Sequence, residues 1–151
     1  MTALSFEMLD RHVVAGRSER IACTDATGSL TFARLLERSA ALAGGLVVLG
    51  LRPGDGVELD LPAGNVRVIA VCALIRLGAL PASGTEARIA AVGGAGTVRV
   101  NDNEIELSLV ERAGRSDPLP AGTVDEPGYA DAVTDVFGDI VGPLLSGSPV
   151  V

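Results

Sequence analysis

The chain has no lysine and no tryptophan, and only one histidine, two cysteines, one tyrosine and three phenylalanines. All 12 of its basic residues are therefore arginines. Arginine's planar fork does not stand in for a compact ammonium, so chemistry that needs a lysine has no source here. His12 has no serine or cysteine at a spacing that would activate a nucleophile, and its position in the first apolar-periodic segment suggests the surface of a helix. One histidine and two distant cysteines cannot build a zinc site. Cys23 and Cys72 each lie in an apolar stretch and read as buried, reduced thiols. No charged stretch followed by an apolar one opens the chain, so no signal peptide is expected. The most apolar run, 66–80, is broken by Arg67 and Arg76 and is shorter than the roughly 20 residues of a membrane span. A cytoplasmic, membrane-free protein is the expectation. Against 12 basic residues stand 19 acidic ones, a net charge of −7. That balance disfavours nucleic acid, whose binding needs clustered positive charge, and anionic lipid surfaces.

What the chain does have is aliphatic residues. Its 151 residues are 48% apolar, enough for one domain with a real core, and aromatics are only 3%, so Leu, Val, Ile and Ala must fill it. Residues 4–15 read as a helix, with Phe6, Leu9, Val13 and Val14 near one face and Ser5 as N-cap. Residues 20–32 read as a hairpin around Asp25–Gly28. Thr31 caps a helix over 32–49 that carries Leu35, Leu42, Leu46 and Leu49 on one side, and Gly50 ends it. Arg52-Pro-Gly-Asp55 is a tight turn. Residues 57–61 alternate as a strand, 65–77 form a second apolar helix facing the core through Val66, Ile69, Ala70, Ala73, Leu74 and Leu77, and a strand begins at Ala79. This strand–helix–strand order predicts an α/β layered architecture: a mixed, mostly parallel sheet with packed helices. Beyond Pro81, residues 88–92, 97–100 and 104–109 are strand candidates. Residues 112–128 read as loop and 129–137 as a short helix. The division is one α/β domain over 1–141 and a flexible tail over 142–151.

Over residues 4–82 these features together resemble the opening of the adenylate-forming superfamily, which includes acyl-CoA synthetases, non-ribosomal adenylation domains and luciferases. The residues that carry the likeness are Thr31-Phe-Ala-Arg-Leu35, Gly50-Leu-Arg-Pro-Gly-Asp55, Leu61-Pro-Ala63 and Leu77-Gly-Ala-Leu-Pro81. In that family these motifs cap, turn and pack. The resemblance implies the fold of the first subdomain, 4–82, with 83–141 as divergent strands and loops. More loosely, Glu104–Leu109, Leu119–Gly122, Val124-Asp125 and Phe137-Gly-Asp139 are similar to a short actinobacterial family of acyl-CoA synthetase relatives that ends before the ATP site.

The family's phosphate loop, its adenine and ribose segments and its catalytic lysine have no counterpart in these residues. Ser83-Gly-Thr85 comes too early and is followed by Glu86, which would repel phosphate, so it reads as a plain turn. Gly93-Gly-Ala-Gly96 lacks a strand–helix frame and reads as a flexible turn. Asp55, Glu58 and Asp60 read as solvated carboxylates, and Asp125, Glu126 and Asp131 as a wet acidic loop. No catalytic, cofactor-binding or metal-binding residue is assigned, and no cofactor is expected. The expectation is a non-enzymatic domain acting in protein interaction or regulation, as a homo-oligomer or with a protein partner, its inherited contact face covered either by the second half of the chain or by another chain. A small-molecule binder and a ligase subunit completed by another chain are the alternatives.

Overall fold

The computed structural model describes residues 3–92, 95–122 and 125–150. The chain opens with a π-helical turn, Phe6–Asp10, that continues as α1, Arg11–Val14. Ser5 is already helical, with φ −58° and ψ −39°, and its side chain makes no capping bond. The hairpin follows as β1, Ile21–Asp25, and β2, Gly28–Thr31, paired antiparallel with Asp25 opposite Gly28. Thr31 caps α2, Phe32–Val48, and its hydroxyl accepts the Arg34 N–H at 3.1 Å. Next come β3, Gly56–Asp60, then α3, Asn65–Leu77, and β4, Leu80–Pro81. The second half adds β5, Ala87–Val92, β6, Ala95–Val100, β7, Asn103–Glu106, α4, Leu107–Gly114, and α5, Tyr129–Leu145.

The expected mixed sheet is present. Five strands lie in the order β4-β3-β5-β6-β7, and only β6 runs against the others. Leu59, Ile89, Val98 and Ile105 stand in register as one apolar row, with Ile89 and Val98 fully buried. The neighbouring row on the opposite face is Glu58, Arg88, Arg99 and Glu104. β4 pairs with the start of β3 on one side, and β5 pairs with its end on the other. Residues 82–86 therefore cross over β3. Gly56 allows the crossing, since a Cβ there would stand 2.9 Å from the Ala82 methyl.

The α3 helix is central. It packs on α2, β1 and α5, and every residue from Val68 to Leu77 is buried. A helix apolar on all sides belongs inside a fold. Of its expected core set only Val66 is misplaced: it sits in the first turn and is half exposed. Asp25, 40 residues upstream, supplies the helix's N-terminal cap by accepting the Asn65 N–H at 2.7 Å.

Four expectations change. Residues 104–109 do not form a single strand. Pairing stops at Glu106, and Leu107, Val110, Glu111 and Gly114 are buried at helical spacing as α4. The proposed loop 112–128 is accordingly helical to Gly114. The boundary at Gly142 falls inside α5, whose Ile140, Val141 and Leu144 are buried and which packs on the N-terminal helical turn, β4 and α3. His12 is not on the surface. It is 1% exposed, its ring lies 4.9 Å from that of Phe32, and its Nε2–H reaches the Leu144 carbonyl at 2.7 Å. Of the glycine run, Gly93 and Gly94 lie outside the described residues, and Gly96 is within β6.

Helix α4 lies on α2 at backbone distance. A Cβ at Gly45 would stand 2.0 Å from the Val110 carbonyl oxygen, and one at Gly114 would stand 1.7 Å from that of Ala41. Backbone cannot yield as a flexible side chain does, so Gly45→Ala and Gly114→Ala should each cost about 3 kcal/mol or more. Gly138→Ala, whose Cβ would meet only Thr134 Cγ2 at 3.9 Å, should be neutral or stabilise by up to about 1 kcal/mol. Urea unfolding midpoints of the three variants test this contrast. A second prediction concerns acid. The Asp25 carboxyl is held below its ordinary value by the Thr27 hydroxyl first, then by the Asn65 and Thr27 amides. The unfolded chain therefore takes up this proton at higher pH than the folded one, and the contribution is present above pH 3.8 and lost as pH falls through the folded value. Asp25→Ala should flatten the loss of stability between pH 5 and pH 2.5, as read from unfolding midpoints.

Candidate functional site

A broad concavity forms where the turn after α2 meets the end of α3. In that turn the Arg52 N–H donates to the Asp55 carboxylate at 2.8 Å, which holds the loop tight. Gly54 N–H donates to Gly78 O at 2.9 Å, and Leu80 N–H to Asp55 O at 2.8 Å, so turn, helix end and β4 form one rigid wall. Gly78 closes α3 at φ +89°, a conformation that suits glycine. The facing wall comes from residues 119–122 and 125–129. Tyr129 fastens it to the first by donating its hydroxyl to Ala79 O at 2.8 Å. Burial, and then the charge of Asp125, push the Tyr129 hydroxyl pKa upward, so it stays a neutral donor.

Between these walls lies a cleft of about 1150 Å³, just above the roughly 300–1,000 Å³ of ligand sites. Val47, Leu51, Leu77, Leu80 and Leu119 make it largely apolar. Arg52, Asp125 and Glu126 supply its charge. Asp125 is engaged, accepting the Leu4 N–H at 2.8 Å. Arg76, on the same wall, has a side chain that is only 1% exposed and ion-pairs with Asp10 of the N-terminal helix. Its Nε has no partner. The guanidinium is thus sealed behind the cleft and holds the N-terminal helix to α3.

The residues singled out from sequence fall in several places, and the structure does not bring them together. Glu58 accepts the Gly84 N–H at 2.9 Å and pairs with Arg88 Nε at 2.8 Å, and Asp60 pairs with Arg88 Nη2 at 2.9 Å. These two carboxylates share an arginine, and Asp55 serves the turn. Ser83, Gly84 and Thr85 belong to the crossing over β3, where Thr85 donates its hydroxyl to Ala87 O. Cys23 and Cys72 are buried free thiols, and burial raises both pKa values, that of Cys23 to about 11. Among the described residues no group of three or more His, Cys, Asp or Glu could hold a metal. No described helix is long and apolar enough to cross a membrane. Sequence reasoning missed Arg76, Asp10 and Tyr129. A signal for Arg76 was present: a charge inside an apolar helix requires a buried partner.

Comparison with known proteins gives the same frame. Residues 10–83 match the family model of the AMP-binding enzyme. Triostin synthetase I of Streptomyces triostinicus is 42% identical over 64 residues, 42% of this chain and 12% of that protein. The mitochondrial acyl-CoA synthetase short-chain family member 3 of Rattus norvegicus is 30% identical over 86 residues, 53% of this chain and 13% of that protein. The chain thus spans about an eighth of the length of these relatives. Among solved structures, a benzoate CoA ligase from Burkholderia xenovorans LB400 superposes with a TM-score of 0.50 and 23% identity over 54% of this chain and 16% of that one. Residues 10–83 are thus similar to a segment of the AMP-binding enzyme, and the mixed α/β fold around them superposes on part of a CoA ligase.

Proposed function

We propose that these residues form a non-catalytic domain, derived from an adenylate-forming ligase, that acts in the cytoplasm through protein interaction or regulation. The observation that carries the reading is what the chain does after residue 83. Where the family match stops, it crosses β3, builds the β5–β6–β7 meander and returns α4 to lie on α2. The N-terminal unit is covered by its own chain.

Two further features support the reading. There is no lysine to meet the charge of an acyl phosphate. The glycine amide in the one Ser-Gly-Thr stretch, Gly84, is already held by the Glu58 carboxylate, and such a carboxylate opposes a phosphate group. A second reading rests on the cleft: a binder of a small, mostly apolar molecule, without turnover. Its size and aliphatic lining favour that alternative.

The purified chain should show no ATP–pyrophosphate exchange above a protein-free blank with acetate, benzoate, salicylate or amino acids as co-substrate. Exchange by the chain alone would overturn the non-catalytic reading. Light scattering should give a mass above the 15.3 kDa of one chain, or affinity purification from the native cell should retain a stoichiometric partner. A lone monomer in both experiments would count against an interaction role. For the second reading, ligand at 100 times its Kd stabilises a fold by about 2.7 kcal/mol. A rise in Tm with ATP, AMP or an acyl-CoA would favour the binder, and flat melting curves with all three would remove those ligands from consideration.

A further inference from the structure

We propose that His12 is an acid-released latch that holds the C-terminal strap, residues 146–150, against the edge of β1. Helix α5 ends in a glycine-terminated cap: Gly147 at φ +73° donates its N–H to Leu144 O at 3.1 Å, and Ser148 N–H donates to Pro143 O at 2.9 Å. Helix ends leave carbonyls without partners, and here the N-terminal segment supplies donors. His12 Nε2–H reaches Leu144 O at 2.7 Å, Arg11 Nη2 reaches Leu145 O at 2.6 Å, and Arg20 Nη1 reaches Gly147 O at 3.4 Å. The strap then runs beside the hairpin, where Val150 N–H donates to Ala22 O at 2.7 Å and Val150 pairs parallel with Cys23.

The other ring nitrogen makes this arrangement sensitive to acid. Nδ1 is buried and has no hydrogen-bond partner. It lies under Gly147: a side-chain carbon at that position would stand 3.3 Å from Nδ1 and 3.2 Å from Cε1. Phe32 backs the ring. A proton added at Nδ1 therefore finds no acceptor and faces the strap. The charged groups acting on the ring are Arg11, Arg17 and Arg20, all cations, and the strap contributes no charged side chain. Only the stronger bond to Leu144 O favours the charged ring, and desolvation outweighs it, so the pKa lies below the ordinary 6.5. The unfolded or released state binds this proton more readily. The latch is complete above pH 6.5 and weakens as pH falls below it. Water reaches Nδ1 once Gly147 lifts, and lifting the strap leaves Ala22 O unpaired on an open strand edge, a surface that another chain can extend. This inference stands apart from the proposed function and from the cleft.

The test uses the full chain and amide hydrogen exchange by NMR at pH 7.5 and pH 5.0, each rate divided by that of the unstructured peptide. At the lower pH, protection of Gly147, Ser148 and Val150 should fall at least tenfold while that of Val71 and Ala73 in α3 holds. His12 is the chain's one histidine, so its Cε1–H signal, followed between the two pH values, reports the ring alone and should titrate below 6.5. His12→Gln, which keeps an amide donor but does not ionise, should leave the strap protected at both pH values. Unchanged strap protection, equal loss in α3, or a pH response persisting in folded His12→Gln would each overturn the latch. If that variant does not fold, the wild-type chain decides: a ring titrating below 6.5 together with loss of strap protection supports the latch, and a ring titrating at or above 6.5 ends it.

Discussion

Helices α2 and α4 meet with their backbones almost in contact, and the rest of the molecule is arranged around that approach. Gly44 and Gly45 on one helix and Gly114 on the other let backbone approach backbone, with the Val110 side chain packed directly over Gly45. Each glycine costs up to about 1 kcal/mol in helix propensity. In return, dispersion contacts accumulate along two closely apposed surfaces. Such a contact has one register. Arg38 fixes the same register from outside, donating Nε and Nη2 to the two carboxylate oxygens of Glu111 at 3.1 and 3.0 Å. Glu111 is 6% exposed. Breaking so buried a pair on one side is expensive, so the ion pair adds a penalty for misplacing α4.

A core nearly without aromatics relies on close backbone approach of this kind. Small side chains bury little area each, and the deficit is met here by bringing elements close and by tying them with polar links across long sequence distances. Asp25 of the hairpin caps α3. Arg76 of α3 takes Asp10 of the N-terminal helix. Tyr129 of α5 takes the carbonyl of Ala79. Each link joins the central helix or its immediate end to a different part of the chain. Buried polar groups without partners are costly, so these links favour one arrangement among the many that a smooth aliphatic core would tolerate.

The first half of the chain was legible from sequence because its signals are local. Thr31 as cap, Gly50 as helix end and the Arg52–Asp55 turn all act within a few residues, and the structure places each as expected. The errors came where partners are distant. The alternation of Glu104-Ile-Glu-Leu resembles a strand, and only the groove of α2 turns Leu107 and Val110 into a helix face. His12 reads as a surface residue until α5, 132 positions away, supplies the carbonyl that satisfies it. The tail reads as loose because Pro, Gly and Ser dominate it, yet Val150 is paired to the hairpin. The walls of the cleft were individually visible, but their juxtaposition was not, since it depends on where residues 119–129 return.

The two halves of the chain therefore stand in different relations to function. Residues 10–83, which match the family model, carry capping, turning and packing motifs, and such motifs bear on fold more than on activity. The residues that follow determine which surfaces of that unit remain open. They close α2 with α4 and the hairpin edge with the strap, and they leave a cleft walled by the Arg52–Asp55 turn on one side and by residues 119–122 and 125–129 on the other. Selectivity at such a cleft would come from the second wall, because the first offers mainly aliphatic side chains and backbone already bonded to itself.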